Sequence, residues 1–348
     1  MKIAVTGGSG FLGSRFVELH KNKFDNVVVL NSQNSPLNDL DKLIENTKNI
    51  DVLVHTAFDH SYKDNIKGIK NILQTCKVNN IKKLIHLSTI SVYDPNTVGV
   101  LNENSPYTKI NDPYSKEKRD IERVIEKHKD DNFDIVILQP TIVYGLGGNW
   151  TKYALHACKS KALYLPNNGE NICNAVYVDD VANAIYKSCY SDIKFEKIII
   201  SGNSTMTWRD FYIKHCNVLS ELQLPSNCNI QNNTNKNEFH SNSIVNFIFI
   251  LWFKTPLGNL FNLMISGLKK LRSKSYADTS SNELIKEFLE SSINNKILTP
   301  LGITKRMHTC NFKVDISIAK KLLNYNSKFN FDNGIQEVKN DISKALKK

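Results

Sequence analysis

The sequence predicts an α/β protein built on a doubly wound parallel sheet, followed by a smaller C-terminal lobe that contains a helical insertion. Two observations lead to this prediction. Short apolar segments rich in Val and Ile alternate with helical patterns through the first 200 of the 348 residues, and this alternation is typical of a parallel sheet covered by helices on both faces. In addition, a glycine-rich turn joins the first predicted strand directly to the first predicted helix.

The predicted strands are short, bounded by polar or turn-forming residues, and separated by stretches long enough for a crossover helix. The clearest helices between them show an apolar repeat of three to four residues. Residues just beyond each strand deserve the closest inspection, because ligands of open α/β sheets bind at the carboxyl ends of the strands. The strands are expected at residues 3–6, 26–30, 52–55, 83–88, 133–139 and 197–201, and the clearest helices at 65–78 and 113–128.

The glycine turn predicts a phosphate-binding loop of the Rossmann type. Residues 8–13, GSGFLG, fit the pattern G-x-G-x-x-G, and Gly7 precedes them. The pattern alone is weak evidence, since other α/β proteins contain glycine turns. Here it stands after a strand and before a helix, so that bare backbone N–H groups at the helix start can face a pyrophosphate. We therefore expect a bound dinucleotide, NAD or NADP.

Composition narrows the remaining possibilities. The net charge of +11 is compatible with phosphate-bearing ligands, anionic lipid or a solvated surface. No basic motif interleaved with aromatic residues is visible, so no nucleic-acid partner is expected. The seven cysteines include no C-x-x-C pair, and no leader precedes the first strand, so we expect reduced thiols in a cytoplasmic protein. The sequence predicts no metal site.

Two regions are predicted from the change in composition after about residue 205. Residues 1–165, together with 175–204 and the end of the chain, are assigned to the dinucleotide-binding domain. Residues 166–174 and 205–310 are assigned to a substrate-binding lobe, and 311–348 to a closing helical segment. Within the lobe, residues 217–243 are rich in Asn and polar.

Residues 113–128 carry the predicted chemistry. Tyr114 and Lys118 are four positions apart, which places both on one helix face, where the ammonium can favour the phenolate. A free phenol has a pKa of about 10, so a tyrosine that exchanges protons near neutral pH needs such help. Asp112 and Pro113 suit the N-cap and first-turn positions. Thr89, after the fourth strand, is placed to hydrogen-bond the reacting oxygen opposite Tyr114.

With these residues the chain resembles the extended short-chain dehydrogenases and reductases of the NAD-dependent epimerase/dehydratase family. The resemblance covers everything except roughly residues 210–309. It rests on seven segments: the glycine loop 6–13, HTA at 55–57, the helix 65–73, TISVY at 89–93, YSKEK at 114–118, PTIVYG at 140–145 and YVDDV at 177–181.

The resemblance implies a set of site residues. Thr89, Tyr114 and Lys118 would be catalytic, with Lys118 also bonding the nicotinamide ribose. The glycines would bind the pyrophosphate, Ala57 would line the cofactor channel, and the backbone after Pro140 would meet the nicotinamide amide. The full set of expected cofactor contacts is Gly7, Gly10, Phe11, Leu12, Gly13, Asn31, Leu37, Ala57, Ser88, Tyr114, Lys118, Pro140 and Val143. His55 is assigned to packing.

Departures from the family pattern narrow the reaction and leave the cofactor open. NAD-preferring members carry an acidic residue after the second strand, whereas this chain has Asn31, and no arginine follows that would attract a 2′-phosphate. Arg15 is placed on the solvated face of the first helix. The dehydratases have Asp-Glu after the catalytic threonine, where this chain has Ile90 and Ser91. We therefore expect hydride transfer alone: epimerisation, reduction of a keto group or oxidation of a hydroxyl.

The substrate implied is a nucleotide-activated sugar, and two alternatives stay open. One is a lipid-like alcohol, as in the similar 3β-hydroxysteroid dehydrogenases. The other is a dinucleotide-binding regulator without catalysis. Residues 244–274 combine an apolar run too short to span a bilayer with a basic cluster, which favours peripheral contact with the inner face of a membrane as strongly as a buried helix. A homodimer is a further expectation.

Overall fold

The structure is a computed structural model that describes residues 1–59, 61–110, 112–129, 131–232, 286, 288–300 and 302–347. The apolar and basic stretch at residues 244–274 lies outside these ranges, so the structure does not test its predicted membrane contact. Over the described ranges, no helix combines the length and the apolar character that crossing a membrane requires.

A six-stranded parallel sheet forms the centre of the first region. Its strands are β1 (Lys2–Thr6), β2 (Asn26–Leu30), β3 (Val52–His55), β4 (Lys83–Leu87), β6 (Asp134–Pro140) and β11 (Phe195–Ile200). They lie in the order β11-β6-β4-β3-β1-β2. The order reverses on either side of β1, and such a switch point is where sheets of this type bind ligands. The expected parallel sheet and its six strands are confirmed, with bounds that differ by at most two residues.

The side chains of the sheet alternate between two cores, as the pleat requires. Ile3 and Val5 of β1 join one apolar cluster, while Ala4 between them joins another. The helices are α1 (Phe11–His20), α2 (Leu40–Asn46), α3 (Tyr62–Val78), α4 (Pro113–Glu126), α5 (Asn149–Cys158), α6 (Val178–Cys189), α7 (Trp208–Glu221), α8 (Gly302–Thr309), α9 (Ser317–Leu323) and α10 (Phe331–Lys347). Helices α1, α6 and α9 cover the first cluster, and α2, α3 and α4 cover the second.

Short strands that lie outside the six-stranded sheet build a second region together with helices α5, α7, α8 and α10. They are β5 (Val100–Leu101), β7 (Ile142–Tyr144), β8 (Ala162–Leu165), β9 (Ile172–Cys173), β10 (Ala175–Tyr177), β12 (Met206–Thr207), β13 (Ile230–Asn232), β14 (Ile297–Leu298) and β15 (Lys313–Val314). Strand β8 pairs with β13 and β14. Helices α5, α7 and α10 share a third apolar cluster with Trp208 and Phe312. The division of the chain at residues 165 and 205 stays a prediction.

The expectation that every cysteine is a reduced thiol is wrong for one pair. Cys158 at the end of α5 and Cys216 in α7 form a disulfide, with their Cα atoms 5.2 Å apart. Spacing along the chain did not show this, because 58 residues separate the two and only the packing of α5 on α7 brings them together. The other five cysteines are free.

Candidate functional site

The glycine turn lies at the carboxyl end of β1, where the backbone follows a path that side chains would block. Gly7 has a φ of +68°, and its carbonyl accepts a hydrogen bond of 2.9 Å from the Gly10 N–H. A Cβ atom on Gly13 would lie 2.3 Å from the Gly7 oxygen. Helix α1 begins at Phe11 with Gly10 as its N-cap, and no side chain caps its first turn. The first-turn N–H groups are thus available to a phosphate.

The ends of β1 and β3 are tied together beside this turn. The Thr56 hydroxyl donates to the Thr6 carbonyl at 2.7 Å, and the Ala57 N–H meets the Thr6 hydroxyl at 3.4 Å. His55 lies 2.7 Å from the Thr6 hydroxyl through Nδ1, and burial lowers its pKa to about 3. His55 is therefore a neutral packed histidine, and Ala57 lies against Gly7, while its contact with a cofactor stays a prediction.

At the end of β2, Asn31 closes a local turn. Its side-chain oxygen accepts hydrogen bonds from the backbone N–H groups of Gln33 at 2.8 Å and Asn34 at 3.0 Å. The expectation of a solvated Arg15 is wrong, because Arg15 forms a two-pronged ion pair of 2.6 and 2.9 Å with Asp179 in α6. That pairing holds α1 against α6 and leaves Arg15 unsuited to a 2′-phosphate.

Thr89 and Tyr114 meet across the gap between β4 and α4. The Thr89 hydroxyl accepts from the Ser91 N–H at 3.2 Å, and it lies close enough to the Tyr114 phenol to lower the pKa of that phenol. Asp112 caps α4 by accepting from the Ser115 N–H at 3.0 Å, and Pro113 opens the first turn. Tyr114 is thereby fixed at the rigid start of its helix. Burial raises the pKa of Tyr114 to about 12, and the Thr89 hydroxyl partly opposes that rise.

Lys118 lies one turn along α4, buried, with its ammonium 3.2 Å from the Leu87 carbonyl. The same ammonium lies 4.3 Å from the centre of the Phe58 ring, and that ring packs edge-on against Tyr114. Burial lowers the pKa of Lys118 to about 8, partly offset by Glu117 and Glu122. With a pKa of about 8, Lys118 is mostly protonated at pH 7, and its effect on Tyr114 stays a prediction.

Behind these side chains lies a buried carboxylate that the sequence analysis missed. Glu122 accepts hydrogen bonds from Ser88 and Tyr107, and from the Gln139 amide at 3.0 and 3.2 Å. Burial raises its pKa, and these donors oppose the rise. The Ser88 hydroxyl is thus committed to Glu122, which leaves only the Ser88 backbone to serve the predicted cofactor contact. The i+4 spacing from Lys118 was the one available signal for Glu122.

The other expected cofactor contacts lie at the same edge or behind it. Pro140 ends β6, and Val143 in β7 is partly exposed. The Leu37 carbonyl accepts from Asn71 at 2.8 Å, and its side chain packs against Gly68 of α3. Leu12 packs between two apolar clusters, and the Phe11 ring packs on the turn at Gly148. Their contacts with a cofactor stay predictions.

Arg306 of α8 also reaches this edge from the second region. Its guanidinium bonds to the Asp112 carboxylate and the Ser115 hydroxyl, and donates to the Ser91 carbonyl at 2.7 Å. The sequence analysis missed Arg306, because no pattern near residue 306 links it to residues 191 to 215 positions earlier.

Taken together, an uncapped helix start behind a glycine turn, at the switch point of a parallel sheet, defines a dinucleotide-binding α/β protein. Residues 3–192, more than half of the chain, match the model of the NAD dependent epimerase/dehydratase family. The chain belongs to that family, whose members are NAD-dependent enzymes.

The curated relatives include enzymes named as sugar dehydratases and as hydroxysteroid dehydrogenases. The chain is 27% identical over 272 residues to a dTDP-D-glucose 4,6-dehydratase of Dictyostelium discoideum. The aligned region covers 64% of this chain and 61% of the relative. The chain is 28% identical over 222 residues to a 3 beta-hydroxysteroid dehydrogenase/Delta 5-->4-isomerase of Monkeypox virus, and the aligned region covers 51% of this chain and 63% of the relative. The chain thus spans less than two thirds of the length of either relative.

Solved structures confirm the fold. A UDP-glucose 4-epimerase of Thermotoga maritima, solved with UDP-glucose, superposes with a TM-score of 0.69 at 16% identity, over 99% of this chain and all of the other. MoeE5, solved with UDP-glucose and NAD, superposes with a TM-score of 0.67 at 15% identity, over 99% of this chain and all of the other.

Proposed function

We propose that this protein is an NAD(P)-dependent epimerase or keto-reductase/dehydrogenase that acts on a nucleotide-activated sugar. The observation that carries the proposal is the grouping of three residues at the carboxyl end of β4: Thr89, Tyr114 in the capped first turn of α4, and Lys118 one turn later with its buried ammonium on the Leu87 carbonyl. This arrangement stands at the sheet edge that also holds the glycine turn. The alternative of a regulator without catalysis gives no account of this arrangement.

The residues have distinct roles in the proposed chemistry. Bound NAD or NADP supplies the hydride chemistry, held by the first-turn N–H groups of α1 and by Lys118. Tyr114 exchanges a proton with the reacting oxygen, and Thr89 hydrogen-bonds that oxygen from the other side. The Lys118 cation favours the phenolate form of Tyr114. Burial alone leaves the phenol neutral at pH 7, since its pKa is raised to about 12.

Elimination of water is not part of the proposed reaction, although one relative is named as a dehydratase. The two residues after Thr89 are Ile90 and Ser91, both buried in a short 3₁₀ helix. Neither side chain is a carboxylate, so these positions supply no acid or base for dehydration. The proposed outcome is therefore epimerisation, net oxidation or net reduction.

The second candidate substrate is a lipid-like alcohol, and only the names of relatives favour it. The cavity next to Ile90 has a volume of about 10 Å³ and is too small to hold a substrate. Asn174, one of its polar residues, donates its side-chain N–H to the Phe312 carbonyl at 3.0 Å. The relatives named as hydroxysteroid dehydrogenases agree with this candidate. The cavity is lined by Ile90, Thr141, Ile142, Ile172, Asn174, Trp208, Met307, Cys310 and Phe312.

The test is an activity screen of the purified protein with NAD and NADP. Nucleotide sugars and sterols are incubated with each cofactor, absorbance at the reduced nicotinamide band is followed, and sugar products are separated to detect epimerisation without net redox change. The Tyr114→Phe variant should be inactive on any substrate found. Tyr62→Phe, which changes an exposed tyrosine near α4, is the matched control and should retain activity. Turnover by Tyr114→Phe equal to that of the parent would reject the proposal.

Location and assembly are proposed on sequence grounds alone. A cytoplasmic protein that contacts the inner face of a membrane through residues 244–274 should sediment with anionic vesicles at low salt and be released at high salt. If it stays in the supernatant at all salt concentrations, the membrane contact is rejected. Analytical ultracentrifugation tests the expected homodimer.

A further inference from the structure

The segments that carry Thr89 and Tyr114 are joined by a side chain from the other region of the molecule. Arg306 lies in α8 with its side chain 8% exposed. One of its terminal nitrogens pairs with the Asp112 carboxylate. The other donates to the Ser91 carbonyl at 2.7 Å and also bonds to the Ser115 hydroxyl. One rigid guanidinium thus contacts both segments.

These contacts are made with residues that lie close in sequence to Thr89 and Tyr114, which carry the two proposed catalytic hydroxyls. Ser91 is two residues after Thr89, and its N–H donates to the Thr89 hydroxyl at 3.2 Å. Asp112 and Ser115 flank Tyr114, and Asp112 also caps the helix through its second oxygen. A displacement of Arg306 therefore removes one link between the two segments, which are also joined by the contacts of Lys118 with Leu87 and of Glu122 with Ser88.

Helix α8, which carries Arg306, is held in place by contacts with neighbouring residues. The Met307 carbonyl accepts from the Trp208 indole at 3.2 Å, and the His308 ring stacks on Trp208 with ring centres 3.9 Å apart. Asn171 donates to the His308 carbonyl at 2.8 Å. Met307 also lines the cavity that Ile90 borders. The element that holds Arg306 is therefore anchored in the second region and touches the cavity beside the site.

We propose that Arg306 is a positioning residue that holds the Thr89 hydroxyl against the Tyr114 hydroxyl, so that α8 of the second region sets the geometry of the proposed catalytic pair. The proposal rests on the proposed function for its kinetic consequence, while its structural consequence is measurable without a substrate. Burying a guanidinium costs desolvation free energy, which only close charged and hydrogen-bonding partners can offset. Its three partners all belong to the segments that carry the pair.

The test that needs no substrate uses 3-fluorotyrosine placed at position 114 and followed by ¹⁹F NMR during a pH titration. Arg306→Gln should move the Thr89 hydroxyl relative to the Tyr114 phenol, whose pKa that hydroxyl lowers. The ¹⁹F resonance should move and the pKa of the labelled phenol should rise. Arg306→Lys keeps the positive charge but loses the planar, forked set of N–H donors of the guanidinium. The pKa of the labelled phenol in this variant should therefore be intermediate. An unchanged resonance and pKa in Arg306→Gln would overturn the proposal.

Two controls separate positioning from a general loss of structure. Arg119→Gln removes a second buried guanidinium, which lies in α4 and contacts the Ile110 carbonyl at 3.4 Å, and it should leave the Tyr114 resonance in place. Asp112→Asn preserves the helix cap and weakens the ion pair, so it should give part of the Arg306→Gln shift. An equal shift in Arg119→Gln would show that any buried arginine acts alike, and would reject the assignment.

Kinetics complete the test once the activity screen has supplied a substrate. Arg306→Gln should lower kcat by about 10- to 100-fold, as expected for a small misplacement of reacting groups, and change KM much less. A kcat equal to that of the parent rejects the proposal. If Tyr114→Phe turns out to be active, the proposed function fails instead, and the ¹⁹F titration still decides whether Arg306 joins the two segments.

Discussion

The ends of β4 and β2 lie at the same edge of the sheet but are built in different ways. After β4, Thr89 influences the pKa of Tyr114 from a helix 25 positions later, and Lys118 donates to the Leu87 carbonyl. After β2, the Asn31 side chain accepts from the backbone of its own turn, and the Asn31 N–H donates to the Asn34 side chain at 2.8 Å. The end of β4 therefore depends on contacts between residues far apart in the chain, and the end of β2 is a local turn. We expect substitutions at the end of β4 to reduce turnover strongly, and substitutions at the end of β2 to change only the preference between cofactors.

Tyr114→Phe should have the largest effect, a loss of turnover of about 10²- to 10⁴-fold, because it removes the proposed proton-exchanging hydroxyl. The ring and its edge contact with Phe58 remain, so NAD affinity measured by calorimetry should change little. A large loss of NAD affinity together with turnover would indicate a role in cofactor binding rather than in proton exchange.

Lys118→Met should lower turnover strongly and stabilise the fold. The pKa of Lys118 is lowered to about 8, below its ordinary value of about 10.4. The unfolded chain therefore binds more protons between these pH values, and the free energy of unfolding of the parent should rise across that window. Removing the buried charge should increase the free energy of unfolding by about 1–3 kcal/mol at pH 7.

Urea unfolding of parent and Lys118→Met at pH 7, 8, 9 and 10 measures this difference, which should shrink as the pH rises. Lys116→Met is the control, because Lys116 is exposed and paired with Asp120. A variant less stable than the parent at pH 7 would mean that the contacts of Lys118 outweigh the cost of burying its charge.

Thr89→Ala should reduce turnover less than Tyr114→Phe, because water can replace part of the lost hydrogen bond. It also removes the side chain that caps the short 3₁₀ helix, at a cost of about 0.5–2 kcal/mol. Thr89→Ser keeps the hydroxyl and should restore both activity and stability. Unchanged kinetics in Thr89→Ala would exclude Thr89 from the site.

Asn31→Asp should give the smallest effect, confined to cofactor choice. A carboxylate can still accept the N–H groups of Gln33 and Asn34, so the turn should persist. Its charge should bind ribose hydroxyls and repel a 2′-phosphate, shifting the ratio of NAD to NADP affinity about fivefold to tenfold toward NAD. Gln33→Glu, with the same charge two residues later, should shift the ratio less. If Asn31→Asp leaves the ratio unchanged, the ribose does not bind at the end of β2.

Local sequence determined much of the fold. Strand β2 begins and ends where the apolar run predicts it, and Asp112 and Pro113 start α4 as their capping preferences require. The glycine turn was predictable because adjacent residues form it. Thr89, Tyr114 and Lys118 were predicted from a spacing on one helix and a pattern after one strand, the structure places all three near the carboxyl end of β4, and their catalytic role stays a prediction.

Only the tertiary structure showed the contacts that join distant segments. Arg15 pairs with Asp179, Cys158 bonds to Cys216, and Arg306 contacts residues 191 to 215 positions earlier. No periodicity or local motif encodes such partners, because they depend on which helix faces pack together. The sequence by itself determined where strands and helices form, and it predicted the hydroxyl, phenol and ammonium of the candidate site. Packing decided the surroundings of those groups, because burial raises the pKa of Tyr114 and lowers that of Lys118.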